Sequence, residues 1–301
     1  MVENGNVKSV SVSSAEGPRT TRGTGPRPFL KWAGGKSQAF QELRQFFPNL
    51  KDGQTYFEPF LGGGAVYFGL SPKSAVLSDL NKSLVFTYQA VKDHVEGLIA
   101  ALGRLPPPAS EKDYYTARTR FNRLAARLST LDSSQIVTFS ALFIWLNHLC
   151  YNGLYRVNKK GGFNVPYGFY RNPTIYSADS LRVASEALRS ARVMASDYES
   201  ALEGAGRGDL AYLDPPYDPV SETAKFTSYT SSGFDLTQQE RLSRVVHELV
   251  DRGCKVVLSN SPSDRIKELY RGYRFERVAV PRAINCVGSR RSAVEELVVI
   301  A

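Results

Sequence analysis

Metal-binding and cross-linking side chains are scarce in this chain, which holds three cysteines and three histidines in 301 residues. Cys150, Cys254 and Cys286 stand far apart with no C-x-x-C, so neither a disulfide framework nor a metal site is expected. That usage suits a reducing cytosol. His94, His148 and His247 are equally scattered and read as packing or surface residues. No apolar run approaches the ~18 residues that a membrane span needs. Large apolar side chains are nearly missing from residues 1–27, which are rich in Ser, Thr, Gly and Pro and are expected to form a disordered tail. Glu3, Glu16 and the want of an amphipathic stripe oppose an organelle transit peptide there. Carboxylates are outnumbered: 29 Asp and Glu face 38 Lys and Arg, and the formal charge of +9 favours a polyanionic partner. The 42% of hydrophobic residues is enough for the core of one α/β domain with an insertion.

Strands that end in carboxylates carry the chemistry. Thr55-Tyr56-Phe57 reads as a short strand leading into Glu58-Pro59-Phe60-Leu61-Gly62-Gly63-Gly64. Glycines at a strand-to-helix turn let backbone approach a ligand where a side chain would block it. Helix-period apolar residues follow at Val66, Phe68 and Leu70, and Ala75-Val76-Leu77-Ser78-Asp79 is a second strand ending in an acid. Asp79 follows Gly62 by 17 positions, near the spacing of ~20 at which an acid reaches a ribose hydroxyl in a nucleotide-binding βαβ unit. This pattern does not separate a nicotinamide cofactor from S-adenosylmethionine.

Further on, the apolar run Leu210-Ala211-Tyr212-Leu213 ends in Asp214-Pro215-Pro216-Tyr217. A buried strand closed by a carboxylate, two prolines and an aromatic makes a rigid polar slot suited to a flat amino-bearing group such as the N6 amine of adenine. That amine is a poor nucleophile because its lone pair is delocalised into the ring. Asp214 and the Pro215 carbonyl can each accept one N–H, which frees the lone pair for attack. Pro216 steers Pro215 away from the helical region, and Tyr217 offers a ring for stacking. A Pro-rich turn after a strand is the plainer reading of the tetrapeptide taken alone.

A third segment, Phe29-Leu30-Lys31-Trp32-Ala33-Gly34-Gly35-Lys36, precedes both, and Lys36 lacks the preceding spacing of a phosphate-binding P-loop. Taken together, these three segments in this order resemble the Dam-type (D12 class, alpha group) DNA adenine-N6 methyltransferases. The resemblance runs from about Phe29 to the C-terminus. It extends to Tyr151-Asn152-Gly153-Leu154-Tyr155-Arg156, to Phe163-Asn164-Val165-Pro166-Tyr167-Gly168 and to Ala224-Lys225-Phe226-Thr227. It implies an α/β fold: a Rossmann-like methyltransferase sheet with helices on both faces, and an inserted helical target-recognition domain carrying a β-hairpin. The expected division is a tail at 1–27, a catalytic domain at 28–83 and 176–301, and a recognition domain at 84–175.

The resemblance also implies roles. Asp214, Pro215, Pro216 and Tyr217 are the expected catalytic residues. Trp32, Lys36, Phe60, Gly62, Gly64, Asp79, Asp197 and Asp214 are expected to hold S-adenosylmethionine, whose sulfonium needs no metal to leave. Arg156 and Asn152 look like base readers, and Tyr151 like a wedge in the base stack. Pro166 resembles a contact to a thymine methyl, Tyr170 a supporting reader, and Lys31 a contact to the first base pair of a GATC-like target. Phe169 stands where relatives often have a basic residue, so a phosphate or base contact there is expected to be missing. The implied partner is double-stranded DNA; a restriction nuclease in the same system remains open, and oligomeric state is not legible.

The insertion is expected to be mostly helical. Asn81 can cap a helix running to about Leu102, ended by Leu105-Pro106-Pro107-Pro108. Tyr114, Ala117, Phe121, Leu124 and Leu128 recur at helical spacing with Arg118, Arg120, Arg123 and Arg127 between them, a solvated or phosphate-facing set. Ile136, Phe139, Phe143, Leu146 and Leu149 mark another helix reaching Cys150. Leu154–Asn158 and Phe163–Val165 then flank Lys159-Lys160-Gly161-Gly162 as a hairpin. Aromatic groups and cations interleave around it, as unstacked bases and phosphates require, and a two-stranded ribbon fits the major groove. Val193–Tyr198 reads as a strand ending in the acid Asp197. Thr237–Gly253 reads as a helix, Lys255–Asn260 as a strand, and Arg274–Pro281 with Ala293–Ile300 as a closing hairpin pair. The basic loop Gly288–Arg291 joins that pair. The same slot could instead serve RNA or a protein amide, or survive in a catalytically silent DNA-binding regulator; a nicotinamide oxidoreductase is the remaining alternative.

Overall fold

A computed structural model describes residues 25–106, 110–217, 234–281 and 293–301. The expectations for the tail before residue 25, for Ala224–Thr227, for Cys286 and for the Gly288–Arg291 loop lie outside these residues. Among the described residues no helix is long and apolar enough to cross a membrane.

Seven strands form one sheet: β1 (Tyr56–Glu58), β2 (Ala75–Asp79), β3 (Ala191–Ala195), β4 (Leu210–Leu213), β5 (Lys255–Asn260), β6 (Arg274–Pro281) and β7 (Ala293–Ile300). Their order is β3-β2-β1-β4-β5-β7-β6. The first five are parallel, and β7 lies antiparallel between β5 and β6. The order reverses between β1 and β4, the crevice where open α/β sheets bind ligands at the carboxyl ends of their strands. Glu58, Asp79 and Asp214 all stand at such ends. In β7, Leu297 pairs with Asn260, the last residue of β5, so Glu296 lies one step beyond it on the same edge.

Successive strand residues point to opposite faces, and the two faces feed separate cores. Tyr56, Leu77, Tyr212, Val257 and Val298 belong to one core with α2 (Ala65–Leu70), α3 (Lys82–Asp93) and α7 (Ala178–Leu188). Phe57, Ala211, Leu213, Val256 and Leu258 belong to the other, with α8 (Tyr198–Leu202), α9 (Leu236–Asp251) and α10 (Asp264–Leu269). Helices therefore cover both faces, as a mostly parallel sheet demands. A short α1 (Phe40–Leu43) precedes β1.

Asn81 does cap α3, its side chain accepting from the Leu84 N–H. The single helix expected to Leu102 breaks at His94, whose φ of −138° is not helical, and resumes as α4 (Val95–Gly103). Capping boxes start the next two helices: Ser110 with Asp113 on α5 (Glu111–Ala125), and Asp132 with Gln135 on α6 (Ser133–Leu149). Each such cap is worth about 1 kcal/mol. Rather than a stripe, α6 is buried all round from Phe139 to Asn147, because α3, α4 and α5 enclose it.

The expected hairpin is present only as an isolated antiparallel bridge between Val157 and Phe163. The bonds from the Asn158 N–H to the Gly162 carbonyl and from the Asn164 N–H to the Arg156 carbonyl flank this bridge, and Pro166 has no N–H to give the Leu154 carbonyl, so the ladder stops there. The Phe163 carbonyl accepts from Asn122 Nδ2, and the Val165 carbonyl accepts from both Tyr114 Oη and Arg118. These carbonyls are spent on α5, so Arg118 buttresses the hairpin instead of standing as a free cation.

Candidate active site

A cavity of about 690 Å³ opens where β1, β2 and β4 end. The loop after β1 forms one wall. Gly62 and Gly64 have φ of 47° and 66°, the left-handed region that glycine enters without cost. A Cβ on Gly62 would lie 2.8 Å from Trp32 Cδ1, and one on Gly64 would lie 2.6 Å from Tyr88 Oη. Backbone alone can fill this space. Asp79 fixes the loop: Oδ2 accepts from the Gly62 N–H at 3.0 Å and Oδ1 from the Asn81 N–H at 2.9 Å. Burial pushes the Asp79 carboxyl above its ordinary range, opposed by these two bonds. Trp32 covers the glycines and stacks on Tyr155, with centroids 5.8 Å apart, so the hairpin region braces this wall.

The second wall is ionic. Lys36 is buried, and its Nζ donates to Asp214 Oδ2 at 2.8 Å and to the Gly34 carbonyl at 3.0 Å. It also stands 3.8 Å from Glu296 Oε2 and 5.1 Å from the centroid of the Tyr217 ring. Tyr217 donates its hydroxyl to Glu296 Oε2 at 2.8 Å. Glu58 lies fully buried nearby, accepting from Tyr56 Oη at 2.7 Å. Burial pushes its carboxyl up to about 8; the Tyr56 bond and Lys36 oppose the shift, and Asp214 adds to it. Glu58 therefore keeps its proton at neutral pH while Asp214 is paired with the ammonium. The prolines are held from behind, since Gln239 Nε2 donates to the Pro216 carbonyl and Gln239 Oε1 accepts from Asn260 Nδ2.

The third wall is aromatic. Phe60 stacks on Tyr198 at 5.5 Å and meets Phe234 edge-on at 5.8 Å. Asp197 follows β3 and caps α8 by accepting from the Glu199 N–H. Arg241 reaches Asp197 at 3.4 Å and is paired mainly with Glu199, so this acid is shared rather than free. All eight residues expected to hold a cofactor line one cavity, together with Pro215, Pro216 and Tyr217 of the slot.

The expected base readers gather on a second surface. The Tyr151 N–H donates to the Pro166 carbonyl, and Cys150 bridges Tyr167. Tyr170 Oη donates to the Cys150 carbonyl, and the Lys31 ammonium lies 4.5 Å from the Tyr170 centroid while donating to the His148 carbonyl. Burial holds the Lys31 ammonium below its ordinary pKa. Asn152 sits at φ 54° beside Gly153, where a Cβ would meet Lys31 Cβ at 2.4 Å. Tyr151, Asn152, Arg156, Pro166 and Phe169 are exposed. Arg156 Nε is tied to Asn164 Oδ1 at 2.9 Å, which orients its guanidinium outward from the hairpin. Phe169 is 69% exposed at φ 52°, an unfavourable placement for a large apolar side chain.

Sequence reasoning missed several lining residues. Glu58 was visible beside the glycine loop but had no partner in the sequence to mark it. Glu296, Phe234 and Arg241 reach the cavity only through long-range folding, as does Gln239 behind Pro216, and no local pattern announces them.

A mostly parallel α/β sheet with a glycine-walled cavity, acids at its strand ends and an aromatic face beside it is the architecture of a Rossmann-like methyltransferase fold. Residues 32–284 match the family of D12 class N6 adenine-specific DNA methyltransferases, and the chain belongs to that family. It is 40% identical over 290 residues to the Type II methyltransferase M.MjaIII of Methanocaldococcus jannaschii, covering 91% of this chain and 98% of that one. It is 38% identical over 275 residues to the Type II methyltransferase M1.LlaDCHI of Lactococcus lactis, with 91% and 94% covered. The DNA adenine methylase of Escherichia coli K12 is 33% identical over 276 residues, with 91% and 95% covered. The activity is thus adenine-specific DNA methylation.

Proposed function

We propose that the enzyme binds S-adenosylmethionine in the cavity and methylates N6 of an adenine turned out of duplex DNA, at a GATC-like site. The observation that carries this reading is the Asp214–Tyr217 slot opening into the same cavity as the glycine loop, Asp79 and Asp197. The residues fit such a cofactor. The glycine wall, which no Cβ could share, admits close backbone approach, and Asp79, at the end of β2 beside it, is the acid that would accept from a ribose hydroxyl. Phe60, Tyr198 and Phe234 offer an apolar surface for an adenine ring, with Asp197 at its edge. Trp32 and Lys36 close the far end.

The bound cofactor supplies a methyl group on a sulfonium, and the chain supplies the rest. An adenine amine within a duplex cannot reach the slot, so the base is rotated out at a cost of a few kcal/mol. Asp214 and the Pro215 carbonyl accept the two N6 hydrogens. Among the described residues no donor is bonded to that carbonyl. The lone pair is thereby released for attack. As the new N–C bond forms, the S–CH3 bond of the sulfonium breaks with its electron pair left on sulfur, one N–H proton departs, and Asp214 is the acceptor that would receive it. Tyr217 has the Lys36 ammonium over one side of its ring, which leaves the other for the base. Holding both reactants in line can lower the barrier by about 7–11 kcal/mol.

Residues 84–175 act as the recognition unit under this reading, and residues 28–83 with 176–301 as the catalytic one. Arg156 and Asn152 read bases, Tyr151 wedges into the stack, Pro166 and Tyr170 support the readout, and Lys31 touches the first base pair. A restriction nuclease of the same specificity would be the natural partner. Labelled S-adenosylmethionine incubated with duplex DNA and with RNA, followed by mapping of the modified base, tests the proposal. N6-methyladenine in a GATC-like context is the expected result. Label in RNA or protein alone would overturn the DNA recognition argument, and methylation in an unrelated motif would overturn the GATC assignment.

A further inference from the structure

We infer that Glu296 is a positioning residue for methyl transfer, holding the stacking ring of Tyr217 and sharing the Lys36 ammonium with Asp214. The inference rests on the reading of Asp214–Tyr217 as the slot for the target base. Glu296 comes from β7, near the end of the chain, and no motif of the slot includes it. The antiparallel register of β7 on β5 carries it to the edge where β4 delivers Asp214.

Two contacts define its work. Glu296 Oε2 accepts the Tyr217 hydroxyl at 2.8 Å, which removes the rotational freedom of a ring that must meet a base face to face. The same oxygen stands 3.8 Å from Lys36 Nζ, whose nearer partner is Asp214 at 2.8 Å. One ammonium thus serves two carboxylates in a nearly dry pocket, where side-chain exposure is 5% for Lys36, 20% for Asp214 and 14% for Glu296. A cation drawn partly toward Glu296 leaves Asp214 a stronger acceptor for N6–H than one paired with Asp214 alone. Burial raises the Glu296 carboxyl, and Lys36 and the Tyr217 bond oppose the rise. Removing Glu296 would therefore loosen the ring and weaken the acceptor together.

A double-mutant cycle separates these roles from simple structural support. Single-turnover methylation is measured for the wild type, Glu296→Ala, Glu296→Gln, Tyr217→Phe and the Tyr217→Phe/Glu296→Ala double variant, with melting curves for each. Glu296→Ala is expected to slow the single-turnover rate about tenfold or more, with KM for DNA and for S-adenosylmethionine within about threefold of wild type. The double variant is expected to be no slower than Glu296→Ala, because the two residues act through one bond. Glu296→Gln keeps an oxygen for Tyr217 but loses the charge, and is expected to fall between. A Glu296→Ala rate within about twofold of wild type, or losses that simply multiply in the double variant, would overturn the inference. Should Glu296→Ala fail to fold, Glu296→Gln with Tyr217→Phe decides the matter, since equal wild-type rates in both would also overturn it. A wild type that transfers no methyl group to adenine would instead sink the reading of the slot itself.

Discussion

Lys36 Nζ and Asp214 Oδ2 stand 2.8 Å apart although 178 positions separate the two residues in sequence. This pair joins the segment before β1 to the one that follows β4. It gives the carboxylate of the slot a buried counter-charge in place of bulk water.

Asp214→Ala removes the carboxylate proposed to free the adenine lone pair. Methyl transfer should fall below detection while duplex binding, measured by fluorescence anisotropy, survives. Retention of more than about a tenth of the rate, a barrier change under ~1.4 kcal/mol, would show that Asp214 does not have this role.

Lys36→Met leaves Asp214 and Glu296 facing one another without a cation. Breaking a buried pair by removing one partner costs about 3–5 kcal/mol, read from denaturant unfolding. Adding Asp214→Asn to the same chain removes one of the stranded charges and should recover part of that loss. If the single variant unfolds like the wild type, solvent already screens this pair.

Gly62→Ala would place a methyl 2.8 Å from Trp32 Cδ1 at a φ of 47°. Both the contact and the dihedral are unfavourable, so a loss of about 1–3 kcal/mol in stability is expected. Affinity for S-adenosylmethionine, followed by calorimetry, should fall further than for a matched alanine variant at the open Gly204. Equal behaviour of the two would mean that the glycine wall is not a ligand surface.

Much of this architecture was legible because its signals are local. The strand-to-glycine turn at Phe57–Gly64, the apolar run before Asp214 and the cap at Asn81 each lie within a few residues. What escaped depends on distant partners. The break at His94 has no proline or glycine to announce it. The hairpin was expected as two strands, but Pro166 has no N–H for the next rung, and the outward carbonyls of Phe163 and Val165 are bonded to α5 instead. Lys36 was expected among cofactor ligands, and its bond to Asp214 could not be read from either segment alone. Glu296 sits in an ordinary strand whose register, not its sequence, brings it to the site.

Glu58 makes stability depend on pH. Its carboxyl titrates near 4.5 when solvated and at about 8 in the fold. Between those values the unfolded chain releases a proton that the folded chain keeps, so stability falls as pH rises, by at most ~1.4 kcal/mol per unit. Glu58→Gln removes this dependence. Relative to wild type, the variant should gain stability steadily from about pH 5 to about pH 8 and no further above it. Unfolding midpoints at several pH values measure this, and a difference that stays constant across the window would mean that Glu58 is ionised in the fold.

Arg156 is exposed on the hairpin with its Nε held by Asn164, so its remaining donors face outward in a fixed plane. Such a planar fork can bond guanine O6 and N7 together with fixed geometry, which the flexible ammonium of lysine lacks and alanine cannot do at all. Arg156→Ala should therefore cost about 1–3 kcal/mol of discrimination at one base pair while leaving the transfer rate on the preferred site comparatively intact. Asn164→Ala, which frees the guanidinium to rotate, should produce a milder relaxation at that same base pair. Methylation rates on a panel of single-substitution duplexes resolve both effects. Discrimination that stays unchanged in Arg156→Ala, or that relaxes evenly over all positions, would assign Arg156 to the phosphate backbone instead of to a base.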